Sequence, residues 1–426
     1  MPLPNWLTRL LTVAACACVL VASGCDGTGC GNGFQVSQTG NARPACDSGE
    51  GTACNGASAP AVVADRAGRE FAVLWEGNYD VGEHDLYGRR IDAETGEPSS
   101  DETVVATGLP GGVSPRMLAI RHPAGDGYLA VVAYHVPGSF PITWRVLSLG
   151  TRLELRESAD LQVSRGRVLG ALAGNEPRRE ALVVETAFPT DTPGPTSTGN
   201  GIRVIRLDRH GRPRGAREIG ASDWEQGFAA RVGAAHVPGR DEYLIARLTL
   251  AGGTARLDVA GVDGKLDTLR VAGAPAVRGT PVDLAIAHAP ASGRTLLAWV
   301  EWQPDRSRHV RGAWLAADGA PGPPFAISDD VADGNPDGIG LVADAAGPDF
   351  LVSWTDGTMS GTRRHERVTA ERPGEGPTVT SYEKPGSGES TDSAAASSPL
   401  GTHLAVWTQG LRDLDGRQLR ARLGEL

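Results

Sequence analysis

The strongest constraint on this chain is a repeat. Four segments share an apolar run ending at tryptophan: FAVLWEG at 71–77, LLAWVE at 296–301, FLVSWTD at 350–356 and HLAVWTQ at 403–409. Trp299 and Trp354 stand 55 positions apart and Trp354 and Trp407 stand 53 apart, while Trp75 and Trp299 are separated by 224, four times 56. Three drifted copies fill that gap: LAVVAYH at 129–135, ALVVETA at 181–187 and YLIARLT at 243–249. A unit this small cannot bury its own apolar face, so seven copies must stack on one another.

Each copy has the same internal order. An apolar strand comes first, as in AVVAD (61–65), MLAIRH (117–122), VDLAIAH (282–288) and GLVAD (340–344). A Gly or Pro turn leads to the tryptophan strand. A polar loop then leads to a third strand, typified by DLYGRRID, GIRVIRLD, HVRGAWLA and RQLRARL. Asp/Gly turns follow at Asp92–Gly96, Asp208–Gly211, Asp263-Gly264 and Asp318-Gly319, and short runs such as TVVAT, TLRVA and PFAIS close the unit. Evenly spaced short β-rich runs predict an all-β fold, and helical periodicity is absent beyond the first 24 residues. Four strands in seven units predict a seven-bladed β-propeller over 61–426. The last copy stops after its third strand, and GFQVSQTG at 33–40 precedes the first copy as an orphan strand. Phe34, Val36 and Gln38 alternate with Gln35 and Ser37, so a strand at about 34–38 is expected beside RQLRARL, completing the last blade and covering its edge. Tandem β-sandwiches are the alternative; they need no such circular phase, and their usual size is nearer ~100 residues.

Residues 1–24 read as an export signal. Arg9 precedes an apolar run from Leu10 to Ala22, and small residues follow. The run is shorter than the ~20 residues a membrane span needs, and with no twin-arginine pair general secretion is the expected route. The junction Ala22-Ser23-Gly24-Cys25 resembles a bacterial lipobox. That resemblance implies a diacylglyceryl group on Cys25 and a lipid anchor in a cell envelope; the alternative is ordinary cleavage nearby, with Cys25 left to pair. Beyond the signal the cysteines are Cys25, Cys30, Cys46 and Cys54, all within residues 25–60, the expected tether. Four cysteines allow three connectivities. With Cys25 lipidated, Cys46 and Cys54, which enclose DSGEGTA, are the preferred disulfide and Cys30 is left over. Zinc is disfavoured, because there is no CxxC and no histidine nearby. A net charge of −10 argues against nucleic acid as a partner, since phosphate neutralisation needs a basic face.

The repeat typified by FAVLWEG…DLYGRRIDAETGEP resembles that of bacterial envelope propeller lipoproteins whose units read LVVW…D-IYG-RVDA-G. The resemblance covers about 33–426 and is best in the first copy. The near-exclusion of lysine, with only Lys265 and Lys384 present, suits the GC-rich genomes in which such proteins are widespread. It implies a fold and a location, and it carries over no catalytic residue.

Motifs for chemistry are sparse. HExxH, GxSxG, the P-loop and the sialidase Asp-box do not occur, so no enzyme activity is expected. Asp333-Gly-Asn335-Pro-Asp337-Gly338 matches DxNxDG with Asp344 at the twelfth position, the oxygen spacing of a calcium loop. Asp344 is, however, also the repeat's turn aspartate, equivalent to Asp65. Calcium is the one cofactor these residues could take, and no metal is assigned. Histidines that end a first strand, such as His122 and His288, read as solvated turn residues. The periodic tryptophans read as blade packing. Binding is expected on loops carried by the scaffold: EGNYDVGEHD (76–85), HVPGSFPIT (135–143), AFPTDTPGPTSTGNG (187–201), GASDWEQG (220–227) and EWQPDRSRH (301–309). The ligand-face candidates are Tyr79, Asp80, His84, Asp85, Trp224, Trp302 and Asp305. The sequence thus points to a membrane-anchored, non-catalytic binding or scaffold propeller, with a protein or glycan partner on its loop-rich face. The alternatives are a glycan hydrolase or lyase on a propeller and a purely structural lipoprotein.

Overall fold

Apolar residues dominate the second strand of each repeat because both faces of that strand are covered. Phe71, Ala72, Val73, Leu74 and Trp75 are all fully buried. Alternate residues serve opposite neighbours: Phe71, Val73 and Trp75 pack with Leu404 and Val406 of the last repeat, and Ala72 and Leu74 pack with Tyr128, Ala130 and Val132 of the second.

The computed structural model describes residues 34–36 and 58–425, apart from 81–82, 111–115, 135–142, 162–166, 188–201, 220–227, 252–253, 304–306, 332–338, 346, 357–361, 370–377, 382–389 and 412–413. β1 is Phe34–Gln35. The first sheet holds β2 (Ser58–Ala64), β3 (Glu70–Asp80), β4 (Glu83–Asp92) and β5 (Thr103–Pro110); the second holds β6 (Arg116–Arg121), β7 (Tyr128–Tyr134), β8 (Thr143–Leu149) and β9 (Leu155–Leu161). The third holds β10 (Arg167–Asn175), β11 (Glu180–Ala187), β12 (Ile202–Leu207) and β13 (Pro213–Ile219); the fourth holds β14 (Phe228–Val237), β15 (Glu242–Ala251), β16 (Thr254–Asp263) and β17 (Leu269–Gly273). The fifth holds β18 (Thr280–Ala289), β19 (Arg294–Trp302), β20 (Arg308–Leu315) and β21 (Phe325–Val331); the sixth holds β22 (Gly340–Ala343), β23 (Phe350–Asp356), β24 (Thr362–Thr369) and β25 (Thr378–Ser381). The last holds β26 (Ser390–Ser397), β27 (Thr402–Leu411) and β28 (Leu414–Glu425), with β1 beyond β28.

The fold is therefore all-β, built from repeated four-stranded antiparallel sheets. First strands lie side by side in order: β2 with β6, β6 with β10, β10 with β14, β14 with β18, β18 with β22, β22 with β26, and β26 with β2. This cyclic order is that of a β-propeller. It leaves each sheet packed face to face between two others, and the six apolar clusters among the described residues lie between successive sheets. One of them joins the last sheet to the first and contains Val36, which is fully buried.

β1 pairs antiparallel with β28, Phe34 opposite Ala421 and Gln35 opposite Arg420. The described strand covers two residues of the five expected; Ser37 and Gln38 lie outside the described residues.

The Asp/Gly turns are formed as read. Asp92 accepts the backbone N–H groups of Glu94 and Thr95 at 3.0 and 2.8 Å, and Asp208 accepts those of His210 and Arg212 at 2.8 and 3.0 Å. The first-to-second turns follow the same logic, with Asp65 and Asp344 in equivalent places: Asp65 N bonds Glu70 O at 2.8 Å and Asp344 N bonds Asp349 O at 2.7 Å. Two readings are corrected. EGNYDVGEHD is a β-hairpin in which β3 and β4 continue to the pair Asp80 and Glu83, with two residues between them. His122 is a buried side chain, and its Nδ1 accepts the Ala124 N–H at 3.2 Å.

Candidate functional site

Antiparallel order gives every sheet two ends. At the hairpin end lie the first-to-second and third-to-fourth turns. At the loop end lie the second-to-third and fourth-to-first connections.

The hairpin end is occupied by ties between sheets. Arg178, in the β10–β11 turn, forks onto Asp241, in the β14–β15 turn, and Asn175 Nδ2 donates to Asp241 Oδ1 at 3.0 Å. Glu176 takes Arg121 of the second sheet at 2.6 Å. Ser398 of the last sheet donates to the Gly68 carbonyl of the first at 2.7 Å, and Ser397 donates to Asp344 at 3.3 Å. At the outer edge, His210 and Arg212 reach Glu157 of the preceding sheet at 3.0 and 3.3 Å, and Arg217 donates to the Leu266 and Asp267 carbonyls at 2.8 and 2.6 Å.

A histidine and an aspartate also meet at this end. His236 Nε2 stands 3.8 Å from Asp241 Oδ1, and its ring lies 5.0 Å from that of Tyr243. The Arg178 bond, aided by Asn175, holds the Asp241 carboxyl down at about 2. Burial pushes His236 down to about 4, outweighing the attraction of Asp241, and burial raises the Tyr243 hydroxyl. At neutral pH the imidazole is uncharged and the carboxylate is fully engaged by Arg178 and Asn175. The arrangement braces two sheets and presents no activated nucleophile.

The loop end differs. When the second strands are aligned on their runs FAVLW, YLAVV, ALVVE, YLIAR, TLLAW, FLVSW and HLAVW, the fifth residue is Trp75, Val132, Glu185, Arg247, Trp299, Trp354 and Trp407. Trp75, Trp299 and Trp354 are fully buried, as the repeat requires. Glu185 and Arg247 occupy the same place in adjacent sheets and are equally buried. Each faces an opposite charge across the ladder: Glu185 is paired in register with Arg203, 3.4 Å away, and Arg247 with Asp258, 3.8 Å away, whose other oxygen takes Arg256 at 2.8 Å. Burial lowers Arg247 to about 10 and raises Asp258 despite both arginines. Pairing is what makes such burial tolerable. Reading that one position down the seven copies would have found both charges, which the apolar pattern alone passes over as drift.

The fifth sheet carries a polar cluster at the same end. Glu301, almost fully buried, accepts from Trp299 Nε1 at 3.1 Å, Gln303 Nε2 at 2.8 Å and Arg311 Nε at 3.3 Å. Arg311 also donates to His309 Nδ1 at 3.0 Å, which leaves His309 Nε2 to donate to Ser307 Oγ at 2.9 Å. Beside it, Trp302 ends the apolar stripe of β19 with 40% of its surface exposed, and the Arg308 guanidinium lies 4.4 Å from its ring centre. An exposed indole backed by a cation and flanked by fixed donors and acceptors can stack on a planar or apolar ligand face while bonding its polar edge.

Of the residues expected to face a ligand, Tyr79, Asp80, His84 and Asp85 come together at the β3–β4 hairpin, where Asn78 pairs with His84 and Gly77 with Asp85. Trp302 lies on the fifth sheet, which shares no seam with the first. The structure does not bring the two groups together. Trp224, Asp305, Asp333, Asn335 and Asp337 lie outside the described residues, as do Cys25, Cys46 and Cys54.

No family model matches the chain, and no curated protein matches it. Among solved structures it is similar to a protein of unknown function from Dyadobacter fermentans, at 11% identity and a TM-score of 0.48, covering 87% of this chain and 95% of that one. It is similar to the WD40 domain of Toxoplasma gondii coronin at 12% identity and a TM-score of 0.48, covering 86% and 81%. It is also similar to the six-bladed fucose lectin of Aleuria aurantia at 14% identity and a TM-score of 0.45, covering 76% and 94%. At these identities and scores the likenesses assign no ligand and no reaction.

Proposed function

We propose that this protein is an exported, lipid-anchored binding module: a seven-bladed propeller, closed by β1, that holds a partner on its loop end and transforms nothing. One observation carries the binding assignment. Trp302 leaves 40% of its surface exposed at the loop end, while Trp75, Trp299 and Trp354 of the same fold are fully buried. The hairpin end contributes to the same reading, since its polar side chains tie sheets together. The Cys25 junction and the confinement of the cysteines beyond residue 24 to residues 25–60 support export and anchoring, and the short DSGEGTA loop supports a Cys46–Cys54 disulfide.

A polar cluster with a solvent-facing indole suits a glycan or a polar peptide edge. Screening the purified full-length protein on a glycan array and against a hydrolase substrate panel tests the reading. Binding that is lost in Trp302→Ala with no turnover supports it. Turnover of any glycan, or binding indifferent to Trp302, contradicts it. Acyl modification of Cys25 by mass spectrometry and non-reducing peptide mapping of Cys46 and Cys54 test the export assignments; an unmodified Cys25, or Cys30 bonded to either partner, removes them.

A further inference from the structure

At the hairpin end of the fourth sheet an arginine changes strand. In the first and third sheets the second strand opens on a glutamate, Glu70 or Glu180, that meets an arginine of the third strand, Arg90 at 2.7 Å or Arg206 at 3.8 Å. Both arginines lie opposite the third residue of the second strand, Ala72 and Leu182. The fourth sheet keeps the glutamate as Glu242, but the residue opposite Leu244 is Gly261. In the third sheet Arg206 pairs with Gly215; in the fourth, Gly261 pairs with Arg270. Arg270 reaches back from the fourth strand to Glu242 Oε1 at 2.8 Å and also donates to the Asp318 carbonyl of the fifth sheet. A Cβ on Gly261 would run into the Glu242 carboxylate, so that carboxylate lies over the glycine.

A second departure leaves a cation over. Arg178 and Arg240 stand in the same place, two residues before β11 and β15. Arg178 forks across the seam onto Asp241, the residue before β15. The corresponding residue before β19 is Gly293, with open space around it. Arg240 therefore lacks the carboxylate that Arg178 has, and it turns to Glu242 Oε2, 2.8 Å away. That contact lies off the hydrogen-bond direction, since Oε2 is buried and accepts no hydrogen bond among the described residues. A cavity of about 330 Å³ opens here, lined by Arg240, Glu242, Gly261, Asp263, Thr268 and Arg270. Asp263 is the turn aspartate, and its oxygens are taken by the backbone N–H groups of Asp267 and Thr268, at 2.8 and 3.1 Å, and by the Thr268 hydroxyl. The same turn adds Lys265 and Asp267, one charge of each sign. What remains in the wall is one carboxylate against two guanidinium groups.

We infer that this cavity is an anion site, in which Arg240 and Arg270 hold the carboxylate or phosphate group of a small ligand. Planar guanidinium groups match the paired oxygens of either group. The Glu242 carboxylate holds both cations in place before the ligand arrives, which lowers the cost of ordering them. The cavity volume is that of a site for a small organic acid or phosphate ester. The site lies at the opposite end of the sheets from Trp302 and does not depend on the binding proposed there.

The test is calorimetric titration of the full-length protein with inorganic phosphate and with acetate, at an ionic strength held constant with chloride. Saturable binding of at least one of them at a single site is expected, and the tighter of the two identifies which group the natural ligand carries. Arg240→Gln should weaken that binding at least about tenfold, the loss of one charged hydrogen bond. Gly293→Asp supplies the carboxylate that Arg240 lacks. Asp241 and Gly293 share left-handed backbone, with φ of +49° and +66°, so an aspartate fits there. This variant should abolish binding while its urea midpoint stays at or above the parent's; should it fail to fold, Arg240→Gln decides alone. Trp302→Ala should bind both anions like the parent, which keeps this site separate from the loop-end reading. No saturable binding of either anion, or binding unchanged in Arg240→Gln, overturns the inference.

Discussion

A terminal guanidinium nitrogen of Arg89 donates to the Val36 carbonyl at 2.7 Å. Arg89 belongs to β4 in the first sheet, and Val36 follows the strand that completes the last. The bond therefore fastens the end of the chain's cycle to its beginning. Arg89 is almost fully buried, its Nε donates to the Ser100 carbonyl at 3.0 Å, and burial lowers its pKa. Val36 joins the apolar cluster of Phe71, Trp75 and Val406 on the same seam.

Removing that latch should be felt by the whole molecule. Arg89→Leu leaves the buried Val36 carbonyl and the half-buried Ser100 carbonyl without their charged donor and should cost about 2–3 kcal/mol. Urea unfolding of the variant should stay a single transition with a lower midpoint. A midpoint equal to the parent's would mean the bond is incidental.

The first and last sheets also meet at Gly68, whose φ is +72° and whose added Cβ would lie 2.8 Å from Pro399 Cδ and 2.9 Å from Ser398 Oγ. Gly68→Ala should lower stability by about 1–3 kcal/mol through backbone strain and loss of the Ser398 contact. Gly293→Ala has a similar φ of +66° but open space around it, so it isolates the backbone cost. Equal losses in the two variants would show that the seam contact contributes nothing.

The charges standing in for tryptophan make a double-mutant test. Asp258→Leu alone takes away the carboxylate that Arg247 faces in the core and should cost about 3–5 kcal/mol, while the Arg247→Leu/Asp258→Leu pair should cost less than the two single losses summed. Additive losses would show that the two do not act as a pair. Trp299→Ala, by contrast, should cost about 3–5 kcal/mol with no partner able to rescue it.

Much of this was legible in sequence, for physical reasons that also mark the limits. The apolar second strands declare themselves because burial on both faces demands a mostly apolar run, and the turn aspartates because only a short acceptor can cap those turns. The β3–β4 hairpin escaped, since EGNYDVGEHD is polar throughout and shows no alternation once the strands extend beyond the core. His122 escaped because nothing in its local sequence distinguishes a covered strand-end histidine from a solvated one. Glu185 and Arg247 sit at a position defined by register, so they emerge only when the copies are aligned residue by residue.

Stability should fall with acid in two windows. His236 is held at about 4 against ~6.5 when unfolded, so the unfolded chain binds the extra proton first. Its contribution is complete above pH ~6.5 and is lost as pH falls toward 4, about 2–3 kcal/mol in all. Burial lowers His122 and His288 as well, which steepens the same window. Asp241, held at about 2 against ~3.9 unfolded, adds stability present above ~4 and lost as pH falls through 2. Urea midpoints from pH 7 to 4 should drop, and His236→Gln should flatten the slope; an unchanged slope would remove His236 from the account.

The most direct test of a cycle closed by β1 is the unfolding of a variant lacking residues 26–40. Deleting them takes away the Phe34–Ala421 and Gln35–Arg420 pairs, the buried Val36 side chain and the acceptor of Arg89. If the account holds, the variant unfolds several kcal/mol earlier in urea, by roughly 3–5, and self-associates through the uncovered edge of β28. A variant that unfolds at the parent's midpoint and remains monomeric would contradict the closed cycle and the count of blades that depends on it.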